Sequence, residues 1–534
     1  MPPAPVAPAA VDRFGPSLSA TDRKADLNRR AARGGVVTLS GQALRLIVQI
    51  GSTMVLARLL TPGDFGLVAM GLTATSFAMV FKDAGLSIAT IQRAEVSHEQ
   101  ISNLFWANVV ISAALMLVVA ALSPLVAMFY QQPALIGVTT GLSLVFVFGG
   151  LAVQHKAILT RQMRFGALTG VVIGSQAGGV AVAIAMAIAG FGYWSLVGLA
   201  VGQAAVECVL VWLLCDWKPG RPQRGVGTKS MIHFGSFLTA FNVLNYATRN
   251  ADNVMLGAIW GASQLGIYSK AYALLLLPLR QINAPIASVS VPALSRLQDE
   301  PEAFRQFYQR MVRLISYATM PLVVVLAVLA EEITGVVLGP GWEESAVVFR
   351  VLAFFGVVQS VSVTTGWVLT SLGNSRRMFE WNVIGTPTIV IAFALGLPYG
   401  AYGVALAATI AALVLSVPQI FYAFRGTPAS MADIVRASGP PLILAMAIFG
   451  TGETARRLAA PHVAEIAASI ASSTQAITLP VGILRHGLSS IIVGVVAAGL
   501  MGLWFALLPS AREEVGMAVR MLRKRKSPAG GDVP

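Results

Sequence analysis

The chain has 534 residues, of which 56% are hydrophobic and only 12% are charged. Soluble domains have roughly 45–50% apolar and about 25% charged residues, so this composition excludes a soluble class and indicates an integral membrane protein. The formal net charge of +14 would suggest nucleic-acid binding in a soluble chain. Here the basic residues fall mainly between apolar segments, and we interpret the charge as a signal of membrane topology.

In chain order, residues 1–34 are predicted to form a disordered tail and then a basic helical lead-in, without a secretory signal peptide. About fourteen transmembrane helices follow, since several apolar segments approach the ~20 residues that cross a bilayer. Their predicted spans are 35–58, 65–89, 101–129, 134–156, 166–189, 192–215, 231–258, 264–290, 312–338, 346–372, 379–397, 401–424, 434–451 and 487–508. The predicted domains are an N-lobe (35–215), a cytosolic linker (216–230), a C-lobe (231–425), two extra helices with an outer loop at 452–486 (426–510) and a basic cytosolic tail (511–534).

The lysines and arginines are distributed unevenly over the predicted loops. With the N-terminus in the cytosol, most of the 38 basic residues fall on the cytosolic side, and the predicted outer loops are mainly neutral or acidic. Membrane proteins carry such an excess of basic residues in their cytosolic loops. We therefore expect a multi-pass protein of the bacterial inner membrane, with both termini in the cytosol and no nucleic-acid partner.

The chain contains an internal repeat. A shift of 200 residues aligns 56–67 with 256–267, and a second similarity links 190–198 to 398–406. Both pairs are predicted outer turns at equivalent places in two units of six helices. An even number of helices gives both units the same orientation, with an axis along the membrane normal. The pattern predicts an all-α polytopic membrane protein with two pseudo-symmetric six-helix lobes around a central cavity, plus two extra C-terminal helices.

Ionisable residues inside predicted spans are costly and therefore indicate functional positions. Polar stripes on the first and seventh predicted helices coincide under the 200-residue shift, and the eighth predicted helix adds two cations. A cationic cavity favours an anionic substrate, because arginine binds phosphate oxygens in bidentate fashion and lysine adds a point charge. Asp252 and Glu207 are candidates for ion coupling. The candidates for substrate binding are Gln42, Arg45, Gln49, Asn242, Asn245, Arg249, Lys270 and Arg280.

Structural roles remain open for several of these residues. Arg249 and Asp252 are three residues apart and can pair with each other on one helix. Lys270 can extend to the membrane interface, and Glu207 can serve as a local hydrogen-bonding group. The five histidines are scattered, and no HExxH, GxSxG, Walker A or GxGxxG motif is present. We therefore expect a protein that is not an enzyme and that needs no cofactor or metal.

Several segments resemble polysaccharide exporters of the Wzx type, in the multidrug/oligosaccharidyl-lipid/polysaccharide (MOP) exporter superfamily. The resemblance is carried by LARLLTPGDFGLVAM (56–70), KDAGLSIATIQR (82–93), FGYWSLVG (191–198), the segment 249–279 and PALSRLQDEP (292–301). It covers residues 30–425 and implies a two-lobed bundle with alternating access. It also implies that Arg45, Arg249 and Lys270 hold the pyrophosphate of an undecaprenyl-diphosphate-linked oligosaccharide.

The function expected from this resemblance is that of a flippase for exopolysaccharide, O-antigen or capsule biosynthesis. Its expected partners are the lipid-linked oligosaccharide, membrane lipids and the polysaccharide polymerase or export machinery, and the protein is expected to be a monomer. Two alternatives stay open. One is an ion-coupled multidrug antiporter of the same superfamily, although the first helix carries Arg45 and no acidic residue. The other is a membrane-embedded glycan polymerase or ligase.

Overall fold

The computed structural model describes residues 20–82, 87, 90, 96–223, 229–473 and 481–507, and within these ranges it contains helices and no strand. Long helices that are apolar on all sides are the expected response to a solvent that cannot hydrogen-bond to the backbone. In chain order they are α1 Ala20–Leu59, α2 Pro62–Lys82, α3 His98–Tyr130, α4 Ala134–Arg161, α5 Phe165–Ile188, α6 Trp194–Leu214, α7 Lys229–Arg296, α8 Pro301–Val328, α9 Ala330–Val337, α10 Glu343–Ser371, α11 Ser375–Gly396, α12 Gly400–Phe424, α13 Met431–Ser473 and α14 Val481–Leu507.

The predicted helices have counterparts in the structure, with some differences in extent. The spans 231–258 and 264–290 correspond to two helices that are grouped here as α7 and meet at Gly261. Gly261 has φ 77° and ψ −170°, a conformation that glycine adopts far more readily than other residues, and it reverses the chain there. The span 312–338 is divided into α8 and α9 at Leu329.

The C-terminal prediction needs a correction. The predicted helix 434–451 is instead α13, Met431–Ser473, so much of the segment 452–486 that was predicted as an outer loop is helical. This segment is rich in alanine, which has the highest intrinsic helix propensity. Residues 474–480, and the tails 1–19 and 508–534, lie outside the described part of the chain, as does the part of the predicted linker at 224–228.

Ten helical stretches of the described chain are long and apolar enough to cross a membrane. They confirm the predicted multi-pass, all-helical class, whereas the number of fourteen spans and the domain boundaries stay predictions. Within the N-terminal half, α4 packs on α2, α3 and α6, and α5 joins α6 to α1. Within the C-terminal half, α10 packs on α7, α8 and α12, and α11 packs on α12.

The two extra C-terminal helices, α13 and α14, contact α8 near the start of α13 and contact α9 farther along the chain. Near the start of α13, the fully buried Asp433 accepts hydrogen bonds from Arg305 at 2.8 Å and Gln309 at 2.6 Å, both on α8. Near its middle, Arg456 donates to Glu331 of α9 at 2.8 Å. The α14 side chain His486 lies against Gly335 of α9. These contacts make α13 and α14 one unit with α8 and α9.

Candidate functional site

The two turns that define the internal repeat lie against each other. A Cβ atom on Gly66 would overlap the backbone carbonyl of Ala262, and one on Gly266 would overlap that of Pro62. Gly66 and Gly266 are separated by the 200 residues of the repeat, so equivalent glycines make reciprocal contacts across the lobe boundary. Only the absence of side chains allows two backbones to approach so closely. We call this contact the Gly66–Gly266 interface, and the end of the bundle that carries it the turn end.

Further contacts surround the Gly66–Gly266 interface. The indole Nε1 of Trp342 donates to the carbonyl of Ala57 at 3.1 Å, and its ring meets that of Phe65 edge to face with centroids 5.4 Å apart. Arg58, at the end of α1, donates to the carbonyl of Val336 in α9 at 2.6 Å. The largest group of buried apolar side chains also includes residues from both lobes. The lobes are therefore held together by packing and directed hydrogen bonds at the turn end.

The polar stripe predicted on the first helix lies on α1. Gln42, Arg45 and Gln49 are exposed, and the backbone carbonyl of Arg45 accepts a hydrogen bond from Gln176 of α5 at 3.3 Å. The side chains of Asn242, Asn245 and Arg249, the candidates on α7, lie outside the described residues. Whether the two stripes face each other therefore stays a prediction.

The other predicted candidates on α7 differ in their burial and in their contacts. Asp252 is buried and accepts a hydrogen bond from the Tyr268 hydroxyl at 2.8 Å, which links the two halves of α7 across the Gly261 break. The Nζ atom of Lys270 lies 3.9 Å from the ring centroid of Phe65, so this cation reaches across the lobe boundary. Arg280 is exposed. The structure thus brings Lys270 to the Gly66–Gly266 interface and places Asp252 in a bonded, buried position.

Glu207, the second coupling candidate, forms an ion pair that the sequence analysis did not anticipate. Its Oε1 atom lies 2.5 Å from Nζ of Lys156 on α4. The pair borders a cavity of about 310 Å³ between α4 and α6, close to the end of the bundle opposite the turn end. The distribution of basic residues predicts only that Lys156 lies on the cytosolic side, at the end of the span 134–156. A useful signal was available, because a carboxylate inside a span requires a partner cation.

A second cavity, of about 650 Å³, lies between the lobes and has an almost wholly apolar lining. It is bounded by α2, α3 and α4 on one side and by α7 and α11 on the other. Its larger apolar side chains are Phe77, Leu122, Leu125, Phe129 and Met255. Such a lining suits a hydrocarbon chain and offers little to a sugar.

Residues 55–347 match the family described as polysaccharide biosynthesis proteins. The chain belongs to this family. The match starts just before the α1–α2 turn and ends just after Trp342, so it contains every residue of the Gly66–Gly266 interface. The family predicted from the sequence motifs is confirmed.

The chain is also similar to curated proteins. It is 28% identical over 344 residues to the teichuronic acid biosynthesis protein TuaB of Bacillus subtilis (strain 168), covering 63% of this chain and 70% of TuaB. It is 26% identical over 401 residues to the lipopolysaccharide biosynthesis protein WzxC of Escherichia coli (strain K12), covering 72% of this chain and 80% of WzxC. With the succinoglycan biosynthesis transport protein ExoT of Rhizobium meliloti (strain 1021), the identity is 23%, covering 64% of this chain and 69% of ExoT.

Two solved structures show the fold. The lipid II flippase MurJ, in an inward closed conformation, superposes with a TM-score of 0.61 at 15% identity, covering 88% of this chain and 98% of MurJ. A multidrug resistance MATE family transporter of the MOP superfamily, in an inward-facing conformation, gives a TM-score of 0.57 at 12% identity. The match covers 73% of this chain and 97% of the transporter. The predicted MOP-type transporter fold is confirmed.

Proposed function

We propose that this protein is a flippase that moves a polyprenyl-diphosphate-linked oligosaccharide repeat unit across the inner membrane. The unit would pass from the cytosolic to the outer leaflet by alternating access. Membership of the polysaccharide biosynthesis family supports the pathway, and TuaB, WzxC and ExoT carry names from the biosynthesis of three surface or secreted polysaccharides. In this proposal the protein is a transporter and not an enzyme.

The Gly66–Gly266 interface is the observation that carries the proposal. It joins equivalent turns of the two repeat units, so it lies at the axis about which the lobes would rock. With the orientation predicted from the basic loops, the turn end faces the outside, and the interface closes the protein there. Alternating access requires this contact to form and break once in each cycle, because substrate must leave on that side.

The proposed substrate has two chemically different parts, and the chain offers matching surroundings for each. The diphosphate needs cations, and Arg45 and Arg280 are exposed while Lys270 lies at the interface. Arg249, Gln42, Gln49, Asn242 and Asn245 complete the proposed headgroup site, with Asp252 and Glu207 as proposed coupling groups. The first part of the polyprenyl chain would occupy the apolar cavity between the lobes, beside Phe77 and Phe129.

The decisive experiment measures flipping by the purified protein in liposomes, with a polyprenyl-diphosphate-linked oligosaccharide of defined structure. Arg45→Ala and Arg249→Ala should each reduce translocation at least about tenfold, as expected when a charged hydrogen bond to the substrate is lost. Their amounts in the membrane should equal that of the wild type. Translocation at the wild-type rate by both variants would contradict the proposed headgroup site.

The same liposomes separate the proposal from its two alternatives. An ion-coupled multidrug antiporter would export ethidium and would not move the lipid-linked oligosaccharide. A glycan polymerase or ligase would lengthen or transfer the glycan. Since α1 carries Arg45 and the predicted span 35–58 contains no acidic residue, we expect neither activity.

A further inference from the structure

The Lys156–Glu207 pair differs from the Arg305–Asp433 ion pair, which joins α8 to α13. Asp433 is fully buried and has Arg305, Gln309 and Ser430 as partners, so its charge is completely satisfied. Lys156 and Glu207 have only each other among the described residues, at 2.5 Å. Their side chains are 42% and 26% exposed, although both lie within apolar helices. The pair is accessible and can exchange partners.

The surroundings of the pair provide space for a ligand. Small residues of α4 and α6 (Gly149, Ala152, Ala157 and Ala204) line the cavity of about 310 Å³ next to the two charges. This volume is at the lower end of the range of about 300–1,000 Å³ typical of small-molecule sites. Thr160 borders the same space, with its hydroxyl donating to the Lys156 carbonyl at 2.8 Å. The combination of one cation with a single carboxylate partner and an open volume beside it fits a compact oxyanion.

We propose that Lys156 is a ligand for the diphosphate of the substrate and that Glu207 is the internal counter-ion that the diphosphate replaces. This inference rests on the proposed flippase function and adds a headgroup position near the end of the bundle opposite the Gly66–Gly266 interface. Without substrate, Glu207 neutralises Lys156. When the substrate binds, a diphosphate oxygen accepts the hydrogen bond from the Lys156 ammonium group in place of Glu207. The Glu207 carboxylate then turns toward the cavity.

The counter-ion has a physical purpose in this scheme. A lysine without a partner in an apolar helix is costly, and a lysine that bound diphosphate with no competitor would release it slowly. Competition from Glu207 keeps the affinity moderate, because each diphosphate contact replaces an existing ion pair. Glu207 therefore favours release, and Lys156 favours capture.

Three variants test the assignment, each purified as the full chain: Glu207→Gln, the double variant Lys156→Gln/Glu207→Gln, and Arg164→Gln as a control. The single variant Glu207→Gln and the double variant differ only at position 156, so their comparison isolates the contribution of Lys156. The double variant removes both charges and therefore leaves no unpaired charge that could prevent folding. Arg164 lies at the same end of the same lobe, its side chain is 41% exposed, and it pairs with Asp216 at 3.6 Å. It does not border the cavity.

Binding is measured with inorganic diphosphate, and flipping with the defined lipid-linked oligosaccharide. We expect Glu207→Gln to bind diphosphate several-fold more tightly than the wild type, and the double variant to bind about ten- to a hundredfold more weakly than Glu207→Gln. Flipping by the double variant should fall to a similar extent, and Arg164→Gln should match the wild type in both measurements.

Equal binding and flipping by Glu207→Gln and the double variant would overturn the assignment, and so would an equal loss in Arg164→Gln. A purely structural pair would give another pattern, in which Glu207→Gln lowers thermal stability, the double variant restores it, and diphosphate binding is unchanged. Failure of the wild type to flip the lipid-linked oligosaccharide would instead contradict the proposed function, so the two failures are distinguishable.

Discussion

Two cations near opposite ends of the bundle, Arg456 and Lys156, are satisfied in opposite ways. At the turn end, Arg456 is 16% exposed and lies near three carboxylates, with Glu331 at 2.8 Å, Glu453 at 3.3 Å and Glu332 at 3.8 Å. Near the other end, Lys156 has one carboxylate and an open cavity beside it. A cation surrounded by several partners has little freedom to bind a ligand, whereas a cation with one partner and adjacent space can exchange it.

The same contrast applies to the contacts between the lobes. At the Gly66–Gly266 interface, backbone meets backbone and Trp342 fills the adjoining space. The cavity between the lobes is lined mainly by apolar side chains. One region is built to close tightly and the other to leave room. Closeness of packing, more than residue charge, thus separates the proposed gate from the proposed binding region.

The largest effect is expected when the tight region is blocked. Gly66→Ala places a Cβ where the carbonyl of Ala262 lies, so the lobes cannot close fully at the turn end. We expect flipping in liposomes to fall between about fivefold and a hundredfold, because overpacking of this kind typically costs roughly 1–3 kcal/mol and acts on one state only. The matched control is Gly63→Ala, where the added Cβ would have only an ordinary contact with Thr61. Equal activity of the two variants would show that closure at Gly66 is unnecessary.

A smaller effect, on stability and not on substrate affinity, is expected for Arg456 and its three carboxylate partners, which we call the Arg456 cluster. Arg456→Gln leaves Glu331 and Glu332 without their shared cation, and Glu332 is buried, which already raises its pKa. Removal of one partner from a buried pair costs about 3–5 kcal/mol, and the partial exposure here places the loss at or below the lower value. Thermal unfolding in detergent should therefore show a clearly reduced midpoint, while diphosphate binding by the folded protein stays at the wild-type level.

Arg457 is the control for this prediction. It is 76% exposed and, among the described residues, pairs only with Glu453, at 2.9 Å, so Arg457→Gln should change stability by less than about 1 kcal/mol. If Arg456→Gln were as stable as Arg457→Gln, the description of the cluster as a structural junction between α9 and α13 would be wrong.

The smallest effect is expected from a single hydrogen bond in the tight region. Trp342→Phe keeps an aromatic ring against Phe65 and removes the Nε1 donor to Ala57. A net contribution of about 1 kcal/mol corresponds to roughly a fivefold shift in the closed–open equilibrium. Cysteine labelling of a reporter at the turn end should detect this as faster modification, without a change in membrane abundance. Labelling at the wild-type rate would mean that the hydrogen bond does not favour the closed state.

Sequence patterns were most informative where the chemistry is local or repeated. The apolar spans follow from composition, and the 200-residue shift makes Gly66 and Gly266 equivalent positions without any knowledge of their contact. The pattern could not separate α8 from α9 or predict the full length of α13, because hydropathy does not report where a helix ends inside an apolar or alanine-rich stretch. The pattern also could not predict the partner of Lys156, because a lysine near the end of a span gives the same hydropathy signal whether its ammonium group contacts water or a carboxylate.

By itself the sequence determined the class, the repeat and the family, because long apolar runs, charge asymmetry and motif segments are properties of the chain that need no partner. Tertiary structure decided which residues meet. It joined Gly66 to Ala262 and Gly266 to Pro62, placed Lys270 over Phe65, bonded Asp252 to Tyr268 and paired Lys156 with Glu207. The physical reason is that a charge or a glycine acquires its role from its neighbours across helices. Those neighbours are set by packing over long sequence separations, which local periodicity does not encode.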